Sequence, residues 1–188
     1  MYQDIWIKGR LTNKGLRDCA NRYKHIKSYL KKLDQPFTVL DIGANAGYFS
    51  YRIAEDFNAK VTMIEANDFI HDIMEKNNNK NVTLIQRLMN ANDLKQLANN
   101  QHYDVVLALS IVHHFQEYRE AIDTIFKLGR IIFIEPPAIE ETSNKLRGHR
   151  TKGIHQMLQL KSPQILTYTK LEETIQRPLR PLMVFDRP

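Results

Sequence analysis

The sequence predicts an α/β protein built on a doubly wound parallel sheet, and three observations carry that expectation. Short, largely apolar runs of the kind found in buried parallel strands recur at Phe37–Ile42, Lys60–Glu65, Val82–Gln86, Tyr103–Ser110 and Arg130–Glu135. Segments of helical period separate them. The two patterns alternate five times at a spacing that right-handed crossovers accommodate.

Before the first strand, Leu16, Cys19, Ala20, Tyr23, Ile26, Leu30 and Leu33 form one stripe, which predicts a helix over Asn13–Leu33 with a basic outer face. Asp34-Gln35-Pro36 stops it. The later helices are expected at Gly47–Phe57, Phe69–Lys76, Ala91–Asn99 and Gln116–Leu128, with Gly129 suited to a helix end. After Pro136-Pro137 the pattern loosens into a basic stretch, Lys145–His155, and two further strands near Gln164–Thr169 and Leu182–Phe185.

With 188 residues the chain is long enough for one compact domain and short for two. Gly and Pro number seven each, without a linker-like cluster or a repeat. A single cysteine, Cys19, leaves no internal disulfide and no cysteine metal cluster, so no metal is expected. The longest strongly apolar stretch, Val105 to Val112, is too short for a membrane span, and Met1-Tyr2-Gln3-Asp4 lacks the basic and apolar regions of a signal peptide. A cytoplasmic protein without membrane attachment is the expectation. Residues 1–36 and 145–188 each carry nine Lys/Arg against three Asp/Glu, whereas residues 37–144 carry nine against fifteen. Two basic ends around an acidic centre either converge on an anionic partner or solvate terminal helices.

In a doubly wound sheet the ligand sits beyond the carboxyl ends of the strands, so the first strand-to-helix turn is the place to look. It reads Asp41-Ile42-Gly43-Ala44-Asn45-Ala46-Gly47-Tyr48. Gly43 permits close approach of a ligand to the backbone, and Gly47 permits a tight entry into the next helix. Glu65 ends the second strand, where a carboxylate can take hydrogen bonds from both hydroxyls of a ribose. Asp41 adds a second carboxylate at the same rim; either one alone also reads as a helix cap.

This segment resembles motif I of the class I S-adenosylmethionine-dependent methyltransferases, with Asn45 in place of the middle glycine of Gly-x-Gly-x-Gly. The likeness runs from about Phe37 to Pro137: Glu65 matches the ribose-binding acid, and Tyr103–Phe115 matches the fourth-strand motif. It implies S-adenosyl-L-methionine as cofactor and a mostly parallel seven-stranded sheet with an antiparallel edge strand. It also implies one methyltransferase domain, with residues 1–36 as a basic helical lid, 37–137 as the cofactor-binding core and 138–188 as a substrate-side loop and final strands. The implied cofactor contacts are Asp41, Gly43, Ala44, Asn45, Gly47, Tyr48, Glu65, Ala66, Asn67 and Ser110. The loop would follow the methionine portion, Glu65 the ribose, and Ala66 and Asn67 the adenine. A nicotinamide dinucleotide fits less well, because Gly43 and Gly47 are three residues apart and Asp41 would repel a pyrophosphate, whereas a sulfonium is cationic.

Methyl transfer from a sulfonium is an in-line displacement in which positioning supplies much of the acceleration, so a dedicated base is not obligatory. For a hydroxyl acceptor, His114, with His113 beside it, is the candidate base at the end of the fourth strand. Alternatively, one histidine stacks on the cofactor and the other packs against or caps the next helix. Carbon-5 methylation of pyrimidines needs a cysteine, and Cys19 falls on the inner stripe of the first helix. Adenine amino methylation commonly uses Asn/Asp-Pro-Pro-aromatic where this chain has Ser110-Ile111-Val112-His113. After the fifth strand, Pro136-Pro137 fixes an extended exit, and Glu135 points into the acceptor pocket or satisfies backbone amides.

For the acceptor, Arg147 and Arg150 in the basic stretch read as a phosphate clamp or as part of a surface loop. Trp6 and Arg10, with Tyr2 and Lys8, offer ring and charge contacts or a simple lid. The expectation is methylation of an oxygen or nitrogen on an anionic acceptor, with RNA the most economical choice. A small metabolite or glycan acceptor and a catalytically silent binding partner are the alternatives.

Overall fold

The computed structural model describes residues 1–141, 148–170 and 179–187. Its strands are β1 (Ile5–Ile7), β2 (Arg10–Asn13), β3 (Thr38–Ile42), β4 (Lys60–Glu65), β5 (Val82–Gln86), β6 (Tyr103–Leu109), β7 (Gly129–Glu135), β8 (Gln164–Thr169) and β9 (Arg180–Asp186). Its helices are α1 (Cys19–Leu30), α2 (Tyr48–Phe57), α3 (Ile70–Asn77), α4 (Ala91–Asn100), α5 (Tyr118–Leu128) and α6 (Gly148–Gln159). The main sheet has seven strands in the order β5-β4-β3-β6-β7-β9-β8, parallel except for β9, which runs antiparallel to β7 and β8. This is the doubly wound α/β architecture that the strand and helix pattern predicts, with the seven strands that the family resemblance implies.

The chain divides into two compact units, one formed by Met1–Leu88 and one by Met89–Lys170 with the C-terminal strand. In the first unit, β3, β4 and β5 pair in parallel, with Ile42 beside Ile64 and Glu65 beside Gln86, so their carboxyl ends lie at one level. Val39, Leu40 and Met63 are fully buried, as expected of strands covered on both faces.

The amino-terminal region differs from the expected helical lid. Residues 5–13 form the antiparallel hairpin β1–β2, and α1 starts at Cys19, capped by Asp18, whose carboxylate accepts the Asn21 N–H at 3.1 Å. Helix cannot extend back to Asn13, because the Leu16 and Arg17 N–H groups donate to the Met1 and Tyr2 carbonyls. A Cβ on Gly15 would lie 2.3 Å from the Gln3 carbonyl carbon, so this close strand contact admits only glycine. Cys19, Tyr23, Ile26 and Leu30 follow the predicted stripe and are buried, which makes α1 part of the unit's core. Tyr23 and Lys27 fasten α1 to α2 through Asp56, at 2.6 and 2.8 Å.

In the second unit β6, β7, β9 and β8 carry α4, α5 and α6. Gly129 follows α5, as predicted, but in an extended conformation that opens β7. Glycine is needed there for space: a Cβ would stand 2.7 Å from Val106 Cγ2 and 2.9 Å from the Tyr103 oxygen. The basic stretch expected as a flexible loop is helical from Gly148 onward, with Ile154 and Leu158 fully buried on the inner face of α6. No helix among the described residues is long and apolar enough to cross a membrane.

Candidate active site

The turn after β3 is shaped by three residues with positive φ: Gly43 at 73°, Asn45 at 53° and Gly47 at 70°. The N–H groups of Gly43 and Ala44 both donate to the Ile64 carbonyl, at 2.9 and 3.0 Å, which pins the turn to the end of β4. Gly47 closes the loop through its N–H to Ala44 O at 2.9 Å and begins α2. A Cβ there would meet Tyr51 Cε2 at 2.8 Å and Met63 Sδ at 3.0 Å, so sterics and dihedral angle both select glycine. Asn tolerates the left-handed region better than most residues, which is why Asn45 can replace the usual glycine.

Glu65, only 7% exposed, is the hub of the loop. One carboxylate oxygen accepts the Asn45 N–H at 2.7 Å. The other accepts the N–H groups of Ala66 and Asn67, at 2.9 and 3.0 Å, and the Asn67 side-chain amide at 2.5 Å. A ribose diol binding this carboxylate would therefore replace the Asn67 amide, the one donor on a free-moving side chain. Ala66 and Asn67 are exposed beside it.

Asp41 does not stand at an open rim. It is 2% exposed and accepts the Ser50 hydroxyl at 2.7 Å, which ties β3 to α2. Burial pushes its carboxyl up to about 7, with the Glu65 charge adding to the rise and the Ser50 hydrogen bond and Arg22 opposing it.

The amino-terminal segment reaches this loop, a feature without a sequence signal because the partners are 42 residues apart: the Gln3 N–H donates to Asn45 Oδ1 at 3.3 Å. Trp6 donates from Nε1 to Glu55 at 2.7 Å and meets Tyr48 edge-on, with ring centroids 6.0 Å apart. The Arg52 guanidinium lies 4.4 Å from the Trp6 ring and 4.1 Å from that of Tyr23 and donates to the Tyr48 hydroxyl. Trp6 and Tyr48 are thus joined to a cation and other rings within the unit. Arg10 is exposed on the hairpin.

In the second unit, the polar groups gather at the ends of β6 and β7. Ser110 follows β6 with φ 59°, a left-handed conformation that costs a non-glycine residue about 1–3 kcal/mol. Its N–H donates to Glu135 O at 2.9 Å and its hydroxyl donates to the Glu135 carboxylate. Glu135 is fully buried and also accepts the Thr169 hydroxyl from β8. Arg180, opening β9, donates to Ser110 Oγ at 3.2 Å and grips Glu141 with two hydrogen bonds of 2.7 Å. Burial works against the Glu141 charge, but the paired bonds from Arg180, the Ala138 N–H and the nearby positive groups outweigh it and hold this carboxyl below its usual range.

Sequence reasoning misses the part of Thr169, Arg180 and Glu141 in this cluster, since Thr169 lies 34 residues from Glu135 and Arg180 lies 39 from Glu141 and 70 from Ser110, with no local pattern. Beside the two sequence readings of Glu135, its carboxylate accepts two side-chain hydroxyls, those of Ser110 and Thr169.

Beyond Ser110 a short 3-10 turn, Val112–His114, presents the two histidines with ring centroids 4.4 Å apart. His113 is buried at 8% exposure and His114 is exposed. Arg150, read from the sequence as a phosphate clamp or part of a surface loop, donates from Nη1 to the carbonyls of His113 and Phe115 at 3.3 and 2.9 Å, which fixes this turn to α6. Arg147 lies outside the described residues. Among the described residues no group of three or more His, Cys, Asp or Glu is placed to hold a metal ion.

The glycine-bent turn, the acid at the next strand's end and the seven-stranded order define a class I S-adenosylmethionine-dependent methyltransferase. The family model described as a methyltransferase domain matches residues 39–130, just under half of the chain, and with this fold it implies S-adenosylmethionine as the cofactor. Among solved structures, the bifunctional kinase-methyltransferase WbdD is similar at a TM-score of 0.76 and 16% identity, over 98% of this chain and 44% of that one. The N-terminal domain of EvdMO1 with SAH bound is similar at a TM-score of 0.70 and 13% identity, over 100% of this chain and 91% of that one. At these identities the likeness is one of fold. The chain spans less than half the length of the WbdD structures. No curated protein matches the sequence.

Proposed function

We propose that the chain moves the methyl group of S-adenosylmethionine to an oxygen of a small hydroxylated acceptor. The observation that carries this reading is the Ser110 turn, where a left-handed residue places its hydroxyl between a buried carboxylate and an arginine, with two histidines one turn further on. Strained backbone held by such a network is characteristic of functional sites.

The bound cofactor supplies an electrophilic methyl group on a cationic sulfur. Loop residues Gly43 to Gly47 take its amino acid portion, and Glu65 takes its ribose hydroxyls after release of the Asn67 amide. Glu135 and Arg180 hold the Ser110 hydroxyl in one orientation, so that it can fix the acceptor by a hydrogen bond. His114, exposed beside His113, accepts the acceptor's proton on a ring nitrogen. Structures of EvdMO1 obtained in the presence of SAH and D-fucose lend the reading a sugar-like acceptor.

A second reading, methylation of RNA, is favoured by the basic composition of residues 1–36 and 145–188. It is weakened by the engagement of Arg150 with backbone carbonyls. An isotopic methyl-transfer assay against separated RNA, glycan and small-metabolite fractions decides between them. The proposal expects label in the hydroxylated small molecules or glycans, and loss of turnover with unchanged cofactor affinity in His114→Ala. Label confined to RNA selects the second reading. Cofactor binding without transfer to any fraction indicates a silent binding protein.

A further inference from the structure

On the second unit, α5 and α6 border a groove of about 720 Å³ whose lining includes none of the residues assigned above to cofactor or acceptor. Lys152, His155, Gln156 and Gln159, on one face of α6, line it together with Met157, and Arg119 lines it from α5. At its ends stand two apolar side chains with unusual exposure, Ile139 at 54% and Leu160 at 87%.

The face is rigid. Ile154 and Leu158 bury the opposite side of α6, Thr151 donates to Glu141 O at 3.2 Å, and Gly153 packs so closely on Tyr118 that a Cβ would fall 2.2 Å from its hydroxyl.

The charge of the groove is one-sided. No carboxylate lines it, and neither Arg119 nor Lys152 forms an ion pair among the described residues; the Arg119 guanidinium only covers its neighbour Tyr118, 5.3 Å from the ring centroid. Two cations without an ion pair among the described residues, Arg119 on α5 and Lys152 on α6, stand beside exposed aliphatic side chains and complement a helix that is apolar on one stripe and acidic on its flanks. A single lipid tail in so open a groove would remain wetted along its length, and the ring in the described lining, His155, is 9% exposed and held against the Pro137 carbonyl at 2.8 Å, which leaves little face for a nucleic acid base to stack on.

We propose that this groove docks one acidic amphipathic helix of a partner protein. The inference does not depend on which acceptor is methylated. It is tested on the full chain, isotope-labelled for amide spectra and titrated with a designed helical peptide of about 18 residues, apolar at i, i+4, i+7 and i+11 with glutamates on both flanks. The expected result is saturable shifts confined to α6, Arg119 and Ile139, with micromolar affinity. Arg119→Glu with Lys152→Glu weakens this at least about tenfold, as does Leu160→Asp, and a lysine-flanked peptide recovers binding to the charge-reversed variant.

Both cations are on the surface, and circular dichroism establishes that the variants keep their fold. Four results overturn the proposal: no shifts at millimolar peptide, equal binding of a glutamine-flanked peptide, engagement of the same residues by phosphatidylglycerol vesicles in preference to the peptide, or their perturbation by self-association alone.

Discussion

Replacing Asp41 by Asn tests whether the base of the cofactor loop stores a buried, protonatable charge. Burial moves this carboxyl from 3.8 to about 7, with the neighbouring Glu65 adding to the rise. The folded chain therefore keeps the Asp41 proton to higher pH than the unfolded chain does. The contribution to stability is whole below the unfolded value, declines as pH rises through the interval, and is lost above about 7. A shift of about three units corresponds to roughly 4 kcal/mol in all, of which about 3 kcal/mol falls between pH 5 and pH 8. Asn carries no titrating proton and keeps an oxygen for the Ser50 hydroxyl, while any cost of its extra amide hydrogens is the same at each pH. Urea unfolding of both proteins without cofactor, followed by circular dichroism from pH 5 to pH 8, should show the variant gaining about 3 kcal/mol relative to wild type across that range. A difference that stays flat, or that moves in the wild type's favour at high pH, refutes the reasoning, because Asp41 would then be ionised and compensated in the folded chain.

Three further outcomes follow from contacts already described. Gly47→Ala forces a Cβ against Tyr51 and Met63 at a φ of 70°, and should cost about 1–3 kcal/mol while weakening S-adenosylhomocysteine binding, measurable by thermal melts with and without that ligand. Gly153→Ala should destabilise the chain by about 1–3 kcal/mol through the Tyr118 hydroxyl, and adding Tyr118→Phe should restore part of the loss in denaturant titrations. Arg180→Gln removes the paired hydrogen bonds that hold the Glu141 carboxyl low. Its cost, about 1–3 kcal/mol at pH 7, should shrink as pH falls through the ordinary carboxylate range and on through the lowered value of the folded chain, where Glu141 protonates; a pH-independent cost would mean the pair contributes through packing alone.

The parallel core was legible because its signal is local. Lys60–Glu65, Val82–Gln86 and Gln164–Thr169 appear as strands with the bounds read from the sequence, and the helices between strands shift by at most two residues at either end. Motif I was legible for the same reason: Gly43, Gly47 and Glu65 sit where short-range spacing puts them. The hairpin at residues 5–13 was hidden by the long apolar stripe through Leu16, and the contacts that stop the helix are made by Met1 and Tyr2 carbonyls, which no periodicity encodes. The bonds from Arg150 to the His113 and Phe115 carbonyls were not legible, because charge composition counts cations without telling which of them a backbone carbonyl will take up. The cluster of Ser110, Glu135, Thr169, Arg180 and Glu141 assembles across four elements; the strand ends at Ser110, Glu135 and Thr169 were visible in advance, but not that they meet.

The central claim, that the turn from Gly43 to Gly47 and the Glu65 carboxylate form the cofactor site, is tested most directly by calorimetric titration with S-adenosylhomocysteine. The account predicts one binding event per chain, at least about tenfold weaker in Glu65→Ala and undiminished in Asn67→Ala, whose amide the ribose displaces. Binding that is undetectable in the wild-type chain, or indifferent to Glu65, would contradict it.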